Sequence, residues 1–125
     1  MAHEPDATGK ARASLNDSLG RLAQRLRESK SLRRGDIVFR LVGPAGGNYC
    51  LECSESEVRV AEFAAAGADR QPLIEVMGGA ETIRAIIDGE KDATKQFLAG
   101  GIRVRGDLRY LSDMALELGV LKAPL

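Results

Sequence analysis

The apolar positions of this chain change period several times, and each change marks an element. Over 11–29, Leu15, Leu19, Leu22 and Leu26 recur at spacings of four, three and four, the single stripe of an amphipathic helix. From Ile37 the period drops to two. Ile37, Phe39 and Leu41 alternate with Val38, Arg40 and Val42, as in a strand. Gly43-Pro44-Ala45-Gly46-Gly47 makes a loop, 48–53 returns, Ser54-Glu55-Ser56 turns again, and 57–63 sets Val58 and Val60 on one face. Two short connections between successive strands predict an antiparallel meander. A small-residue loop over 64–71 and Pro72 lead to a fourth strand over 73–77, which Gly78-Gly79 should break. A short helix over 80–88 then buries Ile83, Ile86 and Ile87.

The densest patterning lies at 92–107, DATKQFLAGGIRVRGD. Ala93, Phe97 and Leu98 share one helical face. Gly100-Gly101 stops that helix, because glycine enters the left-handed region without a Cβ penalty. Ile102, Arg103, Val104 and Arg105 alternate apolar with cationic, as a strand with one buried face does. Gly106 ends the strand, and Asp107 can accept backbone N–H bonds at the start of a last helix. That helix, over 108–118, has Leu108, Leu111, Ala115 and Leu118 in line with Met114 beside them, and Gly119 caps it. The polar residues 1–10, with Pro5 and Gly9, read as a disordered tail. The expected fold is α+β: one domain over 11–125, a five-stranded, mainly antiparallel sheet with helices packed over one face.

Composition narrows the function classes. A chain of 125 residues can bury a core without staples. Lys and Arg number 18 against 18 Asp and Glu, so no global attraction to nucleic acid is expected. Residues 1–34 nevertheless carry net +4 and the remainder −4. The first helix holds Arg21, Arg25 and Arg27 beside its leucine stripe. It fits a surface helix docked on the domain, and it also fits a basic amphipathic helix touching anionic membrane. No run approaches the ~20 apolar residues of a membrane span. The N-terminus lacks the apolar segment of a secretion signal, and the C-terminal Ala-Pro-Leu lacks the basic residue of a peroxisomal address. These features favour a cytoplasmic protein.

Candidate chemistry is sparse. Cys50 and Cys53 form a C-x-x-C within an extended run. Three strand steps put their Cα atoms ~10 Å apart, beyond the ~7 Å limit of a disulfide, and on opposite faces. No second cysteine pair supplies zinc ligands, so ordinary thiols in a reducing compartment are expected, with no metal site. The glycine segments carry neither a phosphate-loop lysine nor a dinucleotide fingerprint. His3 stands alone, so the serines have no base in the folded region and no catalytic triad is expected. Glu55/Glu57 and Glu90/Asp92 read as solvated charge. Arg103, Arg105 and Arg109 make a patch too small for a nucleic-acid footprint. What remains is apolar: Ile83, Ile86, Ile87, Phe97, Leu98, Leu111, Met114 and Leu118 on the helices. These side chains can pack solid or stand off the sheet around a cavity.

The run FLAGGIRVRGDL, preceded by an apolar helix and followed by an amphipathic one, resembles the signature end of the sterol carrier protein lipid-transfer family. The resemblance extends from about Ile37 to Leu121. It implies a hydrophobic tunnel between sheet and helices, walled by the last helix. It implies no catalytic residues and no cofactor. Non-covalent binding of a hydrophobic ligand would be expected, with transfer between membranes as its further step. The ligand would be a fatty acyl chain, a sterol-like lipid, or an isoprenoid or quinone lipid. Ile83, Ile86, Ile87, Phe97, Leu98, Ile102, Val104, Leu111, Met114 and Leu118 would be the lipid-binding set. Arg21, Arg25 and Arg27 would make transient contact with anionic membrane. The other expectation is an accessory, protein-interaction module of the same fold with its core filled.

Overall fold

The computed structural model describes residues 5–29, 35–54, 57–63 and 72–121. His3, Arg33, Arg34, Glu55, Ser56, residues 64–71 and the C-terminal Ala-Pro-Leu lie outside them. The element order is α1 (Pro5–Glu28), β1 (Ile37–Val42), β2 (Gly47–Cys53), β3 (Val58–Phe63), β4 (Ile74–Gly79), α2 (Ala80–Ile87), α3 (Ala93–Leu98), β5 (Ile102–Gly106) and α4 (Leu108–Glu117). Helix α1 starts earlier than its leucine stripe. Residues 5–10, expected as tail, form its first turns, and proline's fixed φ suits the first helical position.

The strands form one sheet in the order β3-β2-β1-β4-β5. The meander is present: β1 pairs with β2 and β2 with β3, both antiparallel. β5 also pairs antiparallel with β4, whereas β4 lies parallel to β1, with Ile37 opposite Ile74 and Phe39 opposite Val76. The sheet is therefore mixed, three antiparallel pairings and one parallel. Gly78 and Gly79 do not break β4 but belong to it. A Cβ on Gly78 would stand 3.0 Å from the Gly101 carbonyl oxygen and 3.2 Å from Ile102, so glycine here lets β5 approach. Gly79 is extended, at φ −72 and ψ 138, and caps α2 directly.

Register sorts the side chains. Ile37, Leu51 and Val60 align across three strands, as do Phe39, Val76 and Val104. This face carries the helices. The leucines of α1 are buried with Ile37, Leu51 and Val58 in the core. The first helix is also fixed at its polar margin: Arg12 pairs with Glu62 of β3 at 2.6 Å, and Arg27 donates to the Val58 carbonyl at 2.7 Å. Cys50 and Cys53 lie in β2, and no disulfide joins them.

The contact between α1 and α2 is polar at its edge. Ser18 Oγ donates to Asp88 Oδ1 at 2.8 Å, Arg21 Nη2 donates to the same oxygen at 2.6 Å, and Arg84 Nη1 holds Asp88 Oδ2 at 2.8 Å. Partial burial pushes the Asp88 carboxyl up, but the bonds from Arg21 and Ser18 outweigh it and hold the group below its ordinary range. A depressed carboxylate stabilises the fold above its unfolded pKa of about 3.9, and that stability goes as pH falls through the folded value. Acid titration followed by circular dichroism is therefore expected to show a loss of stability below about pH 4. Asp88→Asn should flatten that part of the profile. An unchanged acid limb would remove Asp88 from the account.

Candidate functional site

Between the sheet and α2–α4 lies an apolar cavity of about 100 Å³. Each wall follows from a local pattern. Helix α2 presents Ile83, Ile86 and Ile87 at i, i+3 and i+4, one face of a helix. Asp92 caps α3 by accepting the Lys95 N–H at 3.1 Å, and α3 turns Phe97 inward. Gly100, at φ +83, reverses the chain into β5, whose alternation brings Ile102 and Val104 to the same space. Asp107 accepts the Tyr110 N–H at 3.0 Å, starting α4. That helix contributes Leu111, Met114, Ala115 and Leu118.

The floor and one further wall come from residues outside the lipid-binding set named above. Ile37, Phe39 and Val76 project from the strands, and Leu22 reaches in from α1. Their period-two and helical spacings mark them as core-facing, but nothing local says which core residues border a void. Beyond α4, Gly119 adopts φ +81. The Val120 and Leu121 amides fold back onto the Ala115 carbonyl at 2.8 and 3.0 Å, as in a glycine C-cap. That reversal brings Val120 and Leu121 to the cavity wall.

Nine of the ten side chains of that set stand around the cavity, and Leu98 does not. It is 78% exposed. Helix α3 has only six residues, and one residue past Phe97 is a rotation of about 100°, enough to face out. Leu108 differs in the same way: expected on the inner stripe of α4, it is 46% exposed. The three arginines of α1 turn toward the protein. Arg21 reaches Asp88, Arg27 reaches the Val58 carbonyl, and Arg25 reaches the Leu118 carbonyl at 3.4 Å.

Among the described residues, no side chain lining the cavity is titratable or nucleophilic. The site can exclude water from apolar surface, at about 25 cal/mol per Å², and offers no proton donor or acceptor from a side chain. Among the described residues, no cluster of three or more His, Cys, Asp or Glu could hold a metal, and no helix is long and apolar enough to cross a membrane.

Among the described residues, two open hollows share three or more side chains with the cavity. One, of about 380 Å³, shares Ile86, Ile87, Val120 and Leu121 with it and is otherwise bordered by polar residues, among them Arg25, Asp88, Glu90, Lys91 and Asp92. The other, of about 560 Å³, shares Phe97, Ile102 and Val104 and wraps the outer edge of β5 past Met77, Arg103 and Arg105.

No protein-family model and no curated protein sequence matches the chain. Solved structures do. Sterol carrier protein 2 of Aedes aegypti, in complex with palmitate, superposes with a TM-score of 0.66 at 14% identity, over 86% of this chain and 96% of its own. The sterol carrier protein 2-like 2 protein of the same mosquito gives 0.62 at 17% identity, over 83% of this chain and 95% of its own. The ubiquinone synthesis protein UbiJ-SCP2 gives 0.56 at 20% identity, over 93% of this chain and 96% of its own. Three proteins with little sequence in common with this one thus superpose on most of it, and the chain has the fold of the sterol carrier protein 2 domain.

Proposed function

We propose that this protein binds a hydrophobic small molecule non-covalently and carries it between membranes, with no catalytic step. The carrying observation is the cavity between sheet and helices, lined throughout by apolar side chains. Such a lining rewards any ligand that brings apolar surface out of water. The palmitate held by the Aedes aegypti protein supports an acyl chain as the ligand class. The name of the ubiquinone synthesis protein supports an isoprenoid or quinone lipid. The binding set in this reading is Ile83, Ile86, Ile87, Phe97, Ile102, Val104, Leu111, Met114 and Leu118, and transient contact with anionic membrane belongs to it.

The volume favours a second reading. Ligand pockets span roughly 300–1,000 Å³, against about 100 Å³ here. A long-chain lipid therefore requires the walls to move outward, whereas an accessory module with a nearly filled core requires no movement.

A fluorescent acyl probe separates the two. The carrier is expected to bind it with micromolar or better affinity, about −8 kcal/mol, and to release it to unlabelled long-chain lipid. Native mass spectrometry should find lipid on freshly purified protein. A probe that stays free at high protein concentration, with empty protein in the spectrometer, would leave the accessory module standing.

A further inference from the structure

Resting on the apolar-ligand reading, the geometry assigns a face for membrane contact: we propose that the protein lays the outer edge of β5 against an anionic lipid surface, and that its ligand passes there. Among the described residues β5 pairs with β4 alone, so its other edge ends the sheet. The hollow along that edge shares Phe97, Ile102 and Val104 with the cavity. One layer of side chains separates the apolar interior from the outside here.

Charge decides between the two hollows. The one beyond Ile86 and Val120 carries Asp88, Glu90 and Asp92 against Arg25 and Lys91, and Arg84 pairs with Asp88 and Glu90, so its border is of mixed sign. Among the described residues, the β5 hollow is bordered by Arg103 and Arg105 and by no acidic residue. Arg105 is 73% exposed, and its ion pair with Glu75 is long at 3.7 Å. Exposed cations near a headgroup layer attract it electrostatically, and an adjacent apolar side chain can enter the layer. Leu98 supplies that side chain at the end of α3, with exposed Lys95 three residues before it on the same side of the helix. By contrast, the guanidiniums of Arg21, Arg25 and Arg27 hold internal oxygens and would have to leave them to meet phosphate. Two arginines and one leucine give weak, reversible attachment, which suits a carrier that must leave again.

The test uses the full chain and sedimentation with phosphatidylcholine vesicles, with and without phosphatidylglycerol. The wild type is expected to bind the anionic vesicles, and less so as salt rises. Arg103→Gln with Arg105→Gln should weaken vesicle binding by roughly fivefold for each arginine removed. Leu98→Ser should weaken it further, and both variants should slow delivery of an acyl probe to vesicles. Because these side chains are exposed, thermal stability and probe affinity in solution should stay as in the wild type. Equal vesicle binding by wild type and variants would overturn the assignment. So would a wild type that ignores anionic vesicles, including one that instead pairs this edge with a peptide strand. A wild type that binds vesicles through these residues but takes up no probe would keep the face and sink the apolar-ligand reading.

Discussion

Replacing Leu118 with arginine is expected to abolish uptake of an acyl probe, a loss of roughly hundredfold or more. Leu118 ends α4 and borders the cavity together with Met114 and Ala115. A guanidinium there must either enter an apolar space with no acidic group to receive it or push the end of α4 away from the sheet. Both outcomes remove the site. Because the arginine could also unfold the protein, Leu118→Ala is the companion variant. In a close-packed core, Leu→Ala costs about 2–5 kcal/mol. One side of Leu118 faces the void, so fewer dispersion contacts are lost, and about 2 kcal/mol is expected in lipid-stripped protein. Chemical denaturation paired with probe titration reads both quantities. A loss near the top of that range with probe affinity unchanged would place Leu118 in solid core and outside the site.

The second large effect is expected at Gly106, through backbone alone. Its φ is +106, and a Cβ there would lie 2.3 Å from the Leu73 carbonyl oxygen. That oxygen also accepts the Asp107 N–H at 3.0 Å. Alanine would face both a conformation that L-residues avoid and a backbone atom that has no rotamer to yield. Gly106→Ala is expected to cost about 3 kcal/mol. Gly89 provides the control, since its φ is +82 with nothing within 4 Å of a built Cβ. Gly89→Ala should cost only about 1 kcal/mol, the left-handed penalty by itself. Equal losses at the two positions, measured by urea denaturation, would show that the Leu73 oxygen yields and that the close approach is not a constraint.

These two residues illustrate what is legible in the sequence. Gly106 closing a strand and Asp107 capping a helix are local events, set within three or four residues, and they stand where the pattern puts them. The inner faces of α2 and α4 follow from helical spacing, and so do most of the cavity walls. Leu98 and Leu108 misread because each sits at a helix end, where a stripe drawn from spacing runs past the part of the helix that packs. The parallel pairing of β1 with β4 is a different matter. A strand's apolar pattern states which face is buried and carries no mark of its neighbour's direction. Gly78-Gly79 misread for a related reason: a glycine pair signals a break unless one knows that the Gly101 carbonyl will lie against it. Whether a row of core residues borders a void depends on how far the helices stand from the sheet, and spacing holds no such distance.

The parallel seam also has a cost in chain closure. The β1–β2 hairpin joins Leu41 to Gly47, six residues apart, while the seam joins Ile37 to Ile74, 37 residues apart. Under the logarithmic law for loops, that difference makes the seam about 1.6 kcal/mol dearer in chain entropy. The packing of α2, α3 and α4 against Ile37, Phe39 and Val76 helps offset it, and this is the interface that the cavity leaves incomplete. A ligand that fills the gap completes the packing across the seam. Loading the cavity is thus coupled to closing the sheet, and an apolar guest would act in this fold as a missing piece of core.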